Sequence, residues 1–273
     1  MDKAVHFISG LPRSGSTLLA SLLKQNPRFT ANMTSPVGGL FNAMLRETSE
    51  NNETAVFIDN EMRKRLLSGL FDAYYAGANS EQVVFDTNRL WTTKMPALTG
   101  LFPKAKFICC VRNPAWIMDS FECLLRRNPF ELSGIFSYDP SNTVYSRLEG
   151  LAGGAGLFGF SFNALRGAVY GEHGDRVLLL RYESLTAKPL DALATIYEFA
   201  GEPLYQHDSD HIESNYDVAE FDARLGTPGL HDVRSKVAQS TRRTILPPDL
   251  FSRFEREAFW ENPDLIPKSV RVF

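Results

Sequence analysis

The eight residues Gly10-Leu11-Pro12-Arg13-Ser14-Gly15-Ser16-Thr17 form the pattern G-x-x-x-x-G-S-T, and their flanks limit the folds open to this chain. Before them Ala4 to Ser9 is a short apolar run of the kind that makes a buried parallel strand. After them Leu18, Leu19, Leu22 and Leu23 keep an apolar stripe at helical spacing until Asn26-Pro27 stops it. A tight loop from strand to helix aims successive backbone N–H groups and a helix N-terminus at one point, which is a site for an anion. Ser16 and Thr17 add hydroxyls. Ser16 stands where a nucleoside-triphosphate loop carries lysine, so the cationic role falls to Arg13.

The rest of the chain repeats the alternation of strand and helix. Phe29 to Met33 reads as a short strand, and Val37 to about Gly77 as mostly helical, with a polar break at Thr48 to Thr54. Gln82 to Asp86 and Lys106 to Val111 read as buried strands, with a helix ending near Phe102-Pro103 between them. Asn113-Pro114 opens another helix, with proline at a first-turn position that tolerates it. A strand over Arg176 to Arg181, a helix over Pro189 to Ala200 and a late helix over Asp249 to Phe259 complete the reading. The expected fold is α/β: a P-loop-type three-layer α/β/α arrangement with a central, mainly parallel sheet and helical inserts. A single domain over residues 1–273 is expected, since no linker or repeat divides the chain. The glycine-rich stretch Leu151 to Phe160 reads as a flexible connection or a close helix contact, with a moving lid as the alternative.

Charge and composition narrow the partners. With 29 basic and 32 acidic residues the net charge is −3, too balanced for a polyanion-binding field, so no nucleic acid is expected. No apolar window is long enough to span a bilayer, and Met1-Asp2-Lys3 leads straight into the first strand without a signal-peptide core. The expectation is a cytoplasmic protein with no membrane partner. Cys109, Cys110 and Cys123 match no metal-ligand spacing and read as free thiols, so no metal is expected.

A second anion site is encoded by Arg112, at the end of an apolar strand and just before the Asn113-Pro114 helix start, with Ser120 two turns further on. Together, Gly10 to Leu18 and the segment Phe107 to Ser120 resemble the sulfotransferase family. The resemblance implies 3′-phosphoadenosine 5′-phosphosulfate (PAPS) as sulfuryl donor and 3′-phosphoadenosine 5′-phosphate (PAP) as product. It implies that Arg13, Ser14, Gly15, Ser16 and Thr17 grip the 5′-phosphosulfate, and that Arg112 and Ser120 grip the 3′-phosphate. Tyr182, in Val177-Leu-Leu-Leu-Arg-Tyr182, is placed near the nucleotide by the same resemblance, and Ser235 and Lys236 in the late loop that closes over the donor. The arginine of Pro12-Arg13-Ser14 is similar to the bacterial and protein-tyrosine branches.

At the catalytic base the chain departs from both patterns. Ala31 to Ser35 lacks the carboxylate of the tyrosine branch, and Asp86-Thr87-Asn88-Arg89 replaces the histidine of the cytosolic branch. Asp86, at the carboxyl end of a predicted strand, is the expected general base, with Arg89 assisting the sulfuryl oxygens alongside Arg13. The other readings of Asp86 are a helix N-cap or an ion pair with Arg89. His6 reads as a core residue. His231 reads as a solvated loop histidine, with service on the acceptor side as the alternative. The acceptor is expected to be a small molecule with a hydroxyl or amine, its pocket shaped by the inserts at Val37 to Gly77 and Pro129 to His173. The rival reading is a small-molecule kinase using ATP and magnesium, opposed by the missing lysine and by the strand Phe107 to Val111 ending in Arg112 rather than in an acid for the metal.

Overall fold

A computed structural model describes residues 4–50, 52–77, 82–139, 141–213, 218–237 and 242–273. Its strands, in chain order, are β1 (Ala4–Gly10), β2 (Phe29–Ala31), β3 (Val83–Thr87), β4 (Phe107–Val111), β5 (Val177–Arg181) and β6 (Arg271–Val272). They make one sheet in the order β2-β3-β1-β4-β5-β6, every pairing parallel. The helices are α1 (Ser16–Leu23), α2 (Val37–Glu47), α3 (Asn60–Tyr74), α4 (Met95–Leu101), α5 (Pro114–Arg127) and α6 (Val144–Ala152). They continue with α7 (Leu157–Tyr170), α8 (Tyr182–Ala187), α9 (Pro189–Ala200), α10 (Val218–Arg224) and α11 (Pro248–Glu255). Short 3₁₀ turns over Glu53–Phe57 and Arg89–Thr93 follow the polar break and β3.

Both faces of the sheet are covered, which is why its strands are apolar without alternation. Period-two geometry sends Phe7 and Phe107 to one side, where they meet Phe41, Phe71, Trp91 and Phe102. It sends Ile8, Ile108 and Leu180 to the other, against Leu19, Leu22, Leu193 and Ile196 of α1 and α9. The neighbours Cys109 and Cys110 divide between these two cores as buried free thiols. Burial raises both, Cys110 to about 12, so neither is a thiolate near neutral pH.

Chain order reverses beside β1: β3 lies on one side and β4 on the other. Loops leaving their carboxyl ends therefore diverge and leave a crevice, the usual ligand position in open α/β sheets. The glycine-rich stretch forms the α6–α7 connection. A Cβ on Gly156 would meet the Gly150 carbonyl oxygen at 2.0 Å, and one on Gly159 the Gly153 oxygen at 2.2 Å, so these glycines permit close backbone approach. Three elements differ from the sequence expectation in the tail. The late helix α11 stops at Glu255, and both α10 and β6 arise from segments without a strong local pattern. Among the described residues no helix is long and apolar enough to cross a membrane.

Candidate active site

β1 ends in the loop because Gly10 can turn where other residues cannot. Its φ is +105°, and a Cβ there would lie 2.2 Å from the Cys110 carbonyl oxygen on β4. Leu11 N donates to that same oxygen at 2.9 Å, locking the loop to the neighbouring strand. Ser14 Oγ donates to the carbonyl oxygens of Leu11 and Cys110 at 2.5 and 2.9 Å. The buried Ser14 hydroxyl therefore shapes the loop and does not line the crevice, which leaves the hydroxyls of Ser16 and Thr17 to face it. Gly15, at φ +95°, leads into α1, and the first turn of that helix has no side-chain cap. Its orphan N–H groups face the cavity beside Ser16 and Thr17.

Arg13 takes φ 59°, a left-handed conformation that costs a non-glycine residue about 1–2 kcal/mol and is tolerated where function needs it. Its Nε donates to Ser120 Oγ at 3.0 Å, so the loop and the second motif meet directly. Arg112 comes off β4 and donates from Nη1 to the Arg13 carbonyl oxygen at 3.3 Å, while its guanidinium lies over the Tyr182 ring at 4.3 Å. Its buried Nε has no partner among the described residues, an orphan donor at the centre of a cationic site. Burial, then the Arg112 charge, lowers Arg13 to about 10, and burial lowers Arg112 as well. Both remain protonated at neutral pH.

These groups line a cavity of about 760 Å³ above the carboxyl ends of β1, β3 and β4. Seven cations contribute to the wall: Arg13, Arg89, Arg112, Arg127, Arg234, Lys236 and Arg242. Asp232 is the one carboxylate among the described lining residues. In a crevice such an imbalance selects anions and focuses their approach. Arg89 is open to the cavity but enclosed by its walls, and that enclosure lowers its pKa. No side-chain partner engages its guanidinium among the described residues.

Asp86 is not in this cavity. β3 runs one residue past it, and the carboxylate turns inward, wholly buried. Three neutral donors hold it: Ser35 Oγ at 2.7 and 2.9 Å from its two oxygens, Tyr75 Oη at 2.6 Å and Trp91 Nε1 at 2.8 Å. Burial raises its pKa, and these donors counter only in part. The geometry thus removes Asp86 from reach of an acceptor and makes it neither a helix cap nor a partner of Arg89. Ser235 also stays outside the cavity, its carbonyl oxygen accepting from Ile212 N at 2.7 Å. Lys236 reaches the rim, where its ammonium pairs with Asp210 at 2.8 Å. His6 is buried in the sheet, Nδ1 accepting from Lys106 N at 3.2 Å.

The chain beyond Thr186 supplies the far wall, which sequence reasoning assigned to the helical inserts; among the described residues of those inserts only Ile135 and Leu157 reach the cavity. Arg242 pairs with the buried Asp119, which also accepts from Thr244 Oγ1 at 2.7 Å and Ile245 N at 2.8 Å. That knot fastens the tail to α5, one residue before Ser120. Nearby, His231 Nδ1 lies 2.5 Å from Asp222 Oδ1, and the other oxygen of Asp222 accepts from His231 N at 2.9 Å. Asp222, Asp232 and Arg242 escaped the sequence reading: Arg242 acts through Asp119, far back along the chain, and the nine-residue spacing of Asp222 and His231 matches no motif. His231 was singled out, but its local context gave no sign of the carboxylate behind it.

The family model described as the Sulfotransferase family matches residues 6–207. No curated protein matches the chain. Among solved structures, a sulfotransferase domain from the curacin biosynthetic pathway is 18% identical and aligns over 74% of this chain and 75% of that one, with a TM-score of 0.49. A sulfotransferase from Alicyclobacillus acidocaldarius is 17% identical over 82% of this chain and 96% of its own, at a TM-score of 0.48. The sulfotransferase domain of the Synechococcus PCC 7002 olefin synthase is 19% identical over 94% of both chains, at 0.46.

Proposed function

From the premise that this chain belongs to the sulfotransferase family, we propose that it transfers the sulfuryl group of PAPS to a hydroxyl or amine of a small-molecule acceptor. One observation carries the donor reading. Arg13 and Arg112, from two motifs about a hundred residues apart, interlock beside an uncapped helix start, and Arg112 keeps a buried Nε without a partner among the described residues. Such a cluster fits a ligand with two separated anionic groups.

The loop N–H groups and Arg13 would hold the 5′-phosphosulfate, and Arg112 with Ser120 the 3′-phosphate. In PAPS the sulfuryl group is activated by its anhydride bond to phosphate. The chain's task is then positional and electrostatic: to hold the donor in line with an acceptor and stabilise charge on the sulfuryl oxygens and the leaving phosphate oxygen. Arg13 serves the leaving oxygen, and Arg89 faces the cavity where it can serve the sulfuryl oxygens. Tyr182 supports Arg112 from below. Loss of one such electrostatic contact typically slows the chemical step by about 10²–10³.

The kinase alternative finds no support in the site. Ser16 stands at the lysine position, and the acid nearest the crevice on a strand, Asp86, is sealed behind Ser35, Tyr75 and Trp91. Calorimetric titration of the protein with PAP, against ATP plus magnesium, tests the choice. Binding of PAP that Arg112→Ala weakens at least tenfold supports the donor site. Binding of ATP alone, or PAP binding indifferent to Arg112→Ala, refutes it.

A further inference from the structure

We propose that His231, oriented by Asp222, is the general base that takes the acceptor's proton, an assignment that rests on the sulfuryl-transfer reading. The pair is built as a base. Asp222 is buried at the end of a turn of α10 and grips the histidine twice, through Nδ1 and through the backbone N–H. A carboxylate at 2.5 Å fixes the ring proton on Nδ1 and leaves the Nε2 lone pair free to accept. Phe221 packs against the ring edge-on, with centroids 5.3 Å apart, and limits its rotation.

His231 lines the same cavity as the Arg13 loop and Arg89. Its charged surroundings come from four segments: Arg13 from the loop after β1, Arg89 from the turn after β3, Asp222 from α10, and Asp232 beside it in its own loop. Burial lowers its pKa first, and the two arginines lower it further, while Asp222 raises it. The imidazole is therefore neutral near pH 7, the state a base requires. Among the described lining side chains the cations cannot accept a proton, Asp86 lies outside, and the carboxylate of Asp232 has no hydrogen bond to orient it as Asp222 orients His231. The dyad lies beyond residue 207, where the family match ends.

The step balances as follows. The acceptor oxygen or nitrogen forms a bond to sulfur, while the bond from sulfur to the bridging phosphate oxygen breaks and its electron pair stays on that oxygen, beside Arg13. The acceptor proton passes to His231 Nε2, and Asp222 stabilises the resulting imidazolium.

The test uses the full chain, with excess enzyme and labelled PAPS, and follows sulfuryl release in the presence of 2-naphthol, which counts transfer both to the naphthol and to water. His231→Gln should slow release about 10²–10⁴-fold while PAP affinity stays within twofold. Asp222→Asn should slow it less and move the acid limb of the pH–rate profile to lower pH, because the imidazolium loses its counter-charge. A side-chain ¹⁵N spectrum of the wild type should show His231 protonated on Nδ1 and titrating below the usual histidine range; this readout survives if a variant fails to fold. Release unchanged in His231→Gln, or a proton found on Nε2, overturns the assignment while leaving the family reading intact. A wild type that neither binds PAP nor releases sulfuryl overturns the donor reading itself.

Discussion

Replacing Asp86 separates a catalytic carboxylate from a structural one. In the wild type it accepts from Ser35, Tyr75 and Trp91 with no exposure to solvent. Asp86→Ala strips the acceptor from all three. The Trp91 N–H and Tyr75 hydroxyl sit in an aromatic core and cannot turn to water, and each orphaned donor costs about 1–3 kcal/mol. For these two the sum is about 2–6 kcal/mol, a large part of a typical domain's stability. Asp86→Asn keeps the volume, lets Oδ1 accept from Trp91 and lets Nδ2 donate to the Tyr75 oxygen, so it should lie within about 1 kcal/mol of wild type. The pH dependence has a definite sign. Burial raises the native pKa above the ordinary 3.8, so this group favours the fold below 3.8 and loses that contribution as pH climbs through the raised value. Asp86→Asn should therefore gain on wild type as pH rises. Urea denaturation across pH gives both quantities, and single-turnover sulfuryl release gives the chemistry. A folded Asp86→Asn protein that releases sulfuryl a hundredfold more slowly would refute this reasoning and restore Asp86 as base.

Two further perturbations test the frame around the site. Gly10→Ala drives a Cβ to 2.2 Å from the Cys110 oxygen at a φ of +105°, so it should cost about 2–4 kcal/mol and weaken PAP binding; a melting temperature equal to wild type would show that β1 and β4 can yield there. His6 is buried, and desolvation followed by the Lys106 charge lowers it to about 4. Its neutral form stabilises the fold above its unfolded value of 6.5, and that contribution is lost as pH falls through about 4. Between pH 7 and 4 the wild type should lose about 3 kcal/mol more than His6→Leu, measured by urea unfolding at the two pH values, and equal losses would contradict it.

The parts of this molecule legible in its sequence are those specified by neighbours in the chain. The loop Gly10 to Thr17, the Asn113-Pro114 helix start and the helix Pro189–Ala200 each carry their own caps, breakers or apolar period, and each forms where those signals stand. Asp86 shows the limit. A shift of one residue in the end of β3 moves a side chain from the sheet's open edge to its aromatic face, and nothing in Val83 to Arg89 fixes that register. Its partners Ser35 and Tyr75 come from outside the strand, 51 and 11 residues earlier. The far wall is less legible still, since Asp119 meets Thr244 across 125 residues and no periodicity marks α10 or β6.

The division between legible and hidden parts follows the division of labour in the site. Gripping a donor of fixed shape needs backbone N–H groups and arginines at set offsets from a strand end, so the gripping residues crowd into two short motifs. Positioning an acceptor needs a wall shaped for that molecule, and here the wall is built by tail residues tied back onto α5 through Asp119 and Arg242. The donor half is strained and self-repelling as it stands: Arg13 has a left-handed backbone, Arg112 lowers its neighbour's pKa, and one buried guanidinium donor lacks a partner among the described residues. An anion relieves the repulsion and fills the orphan donor, so its binding must stabilise the fold, by about 2.7 kcal/mol at a hundred times Kd. The loop that carries His231 is held separately, by the two hydrogen bonds to Asp222, and can be ordered before an anion arrives. Donor affinity and base catalysis are accordingly separable in this architecture, which is why a His231 variant can lose the chemistry while keeping its grip on PAP.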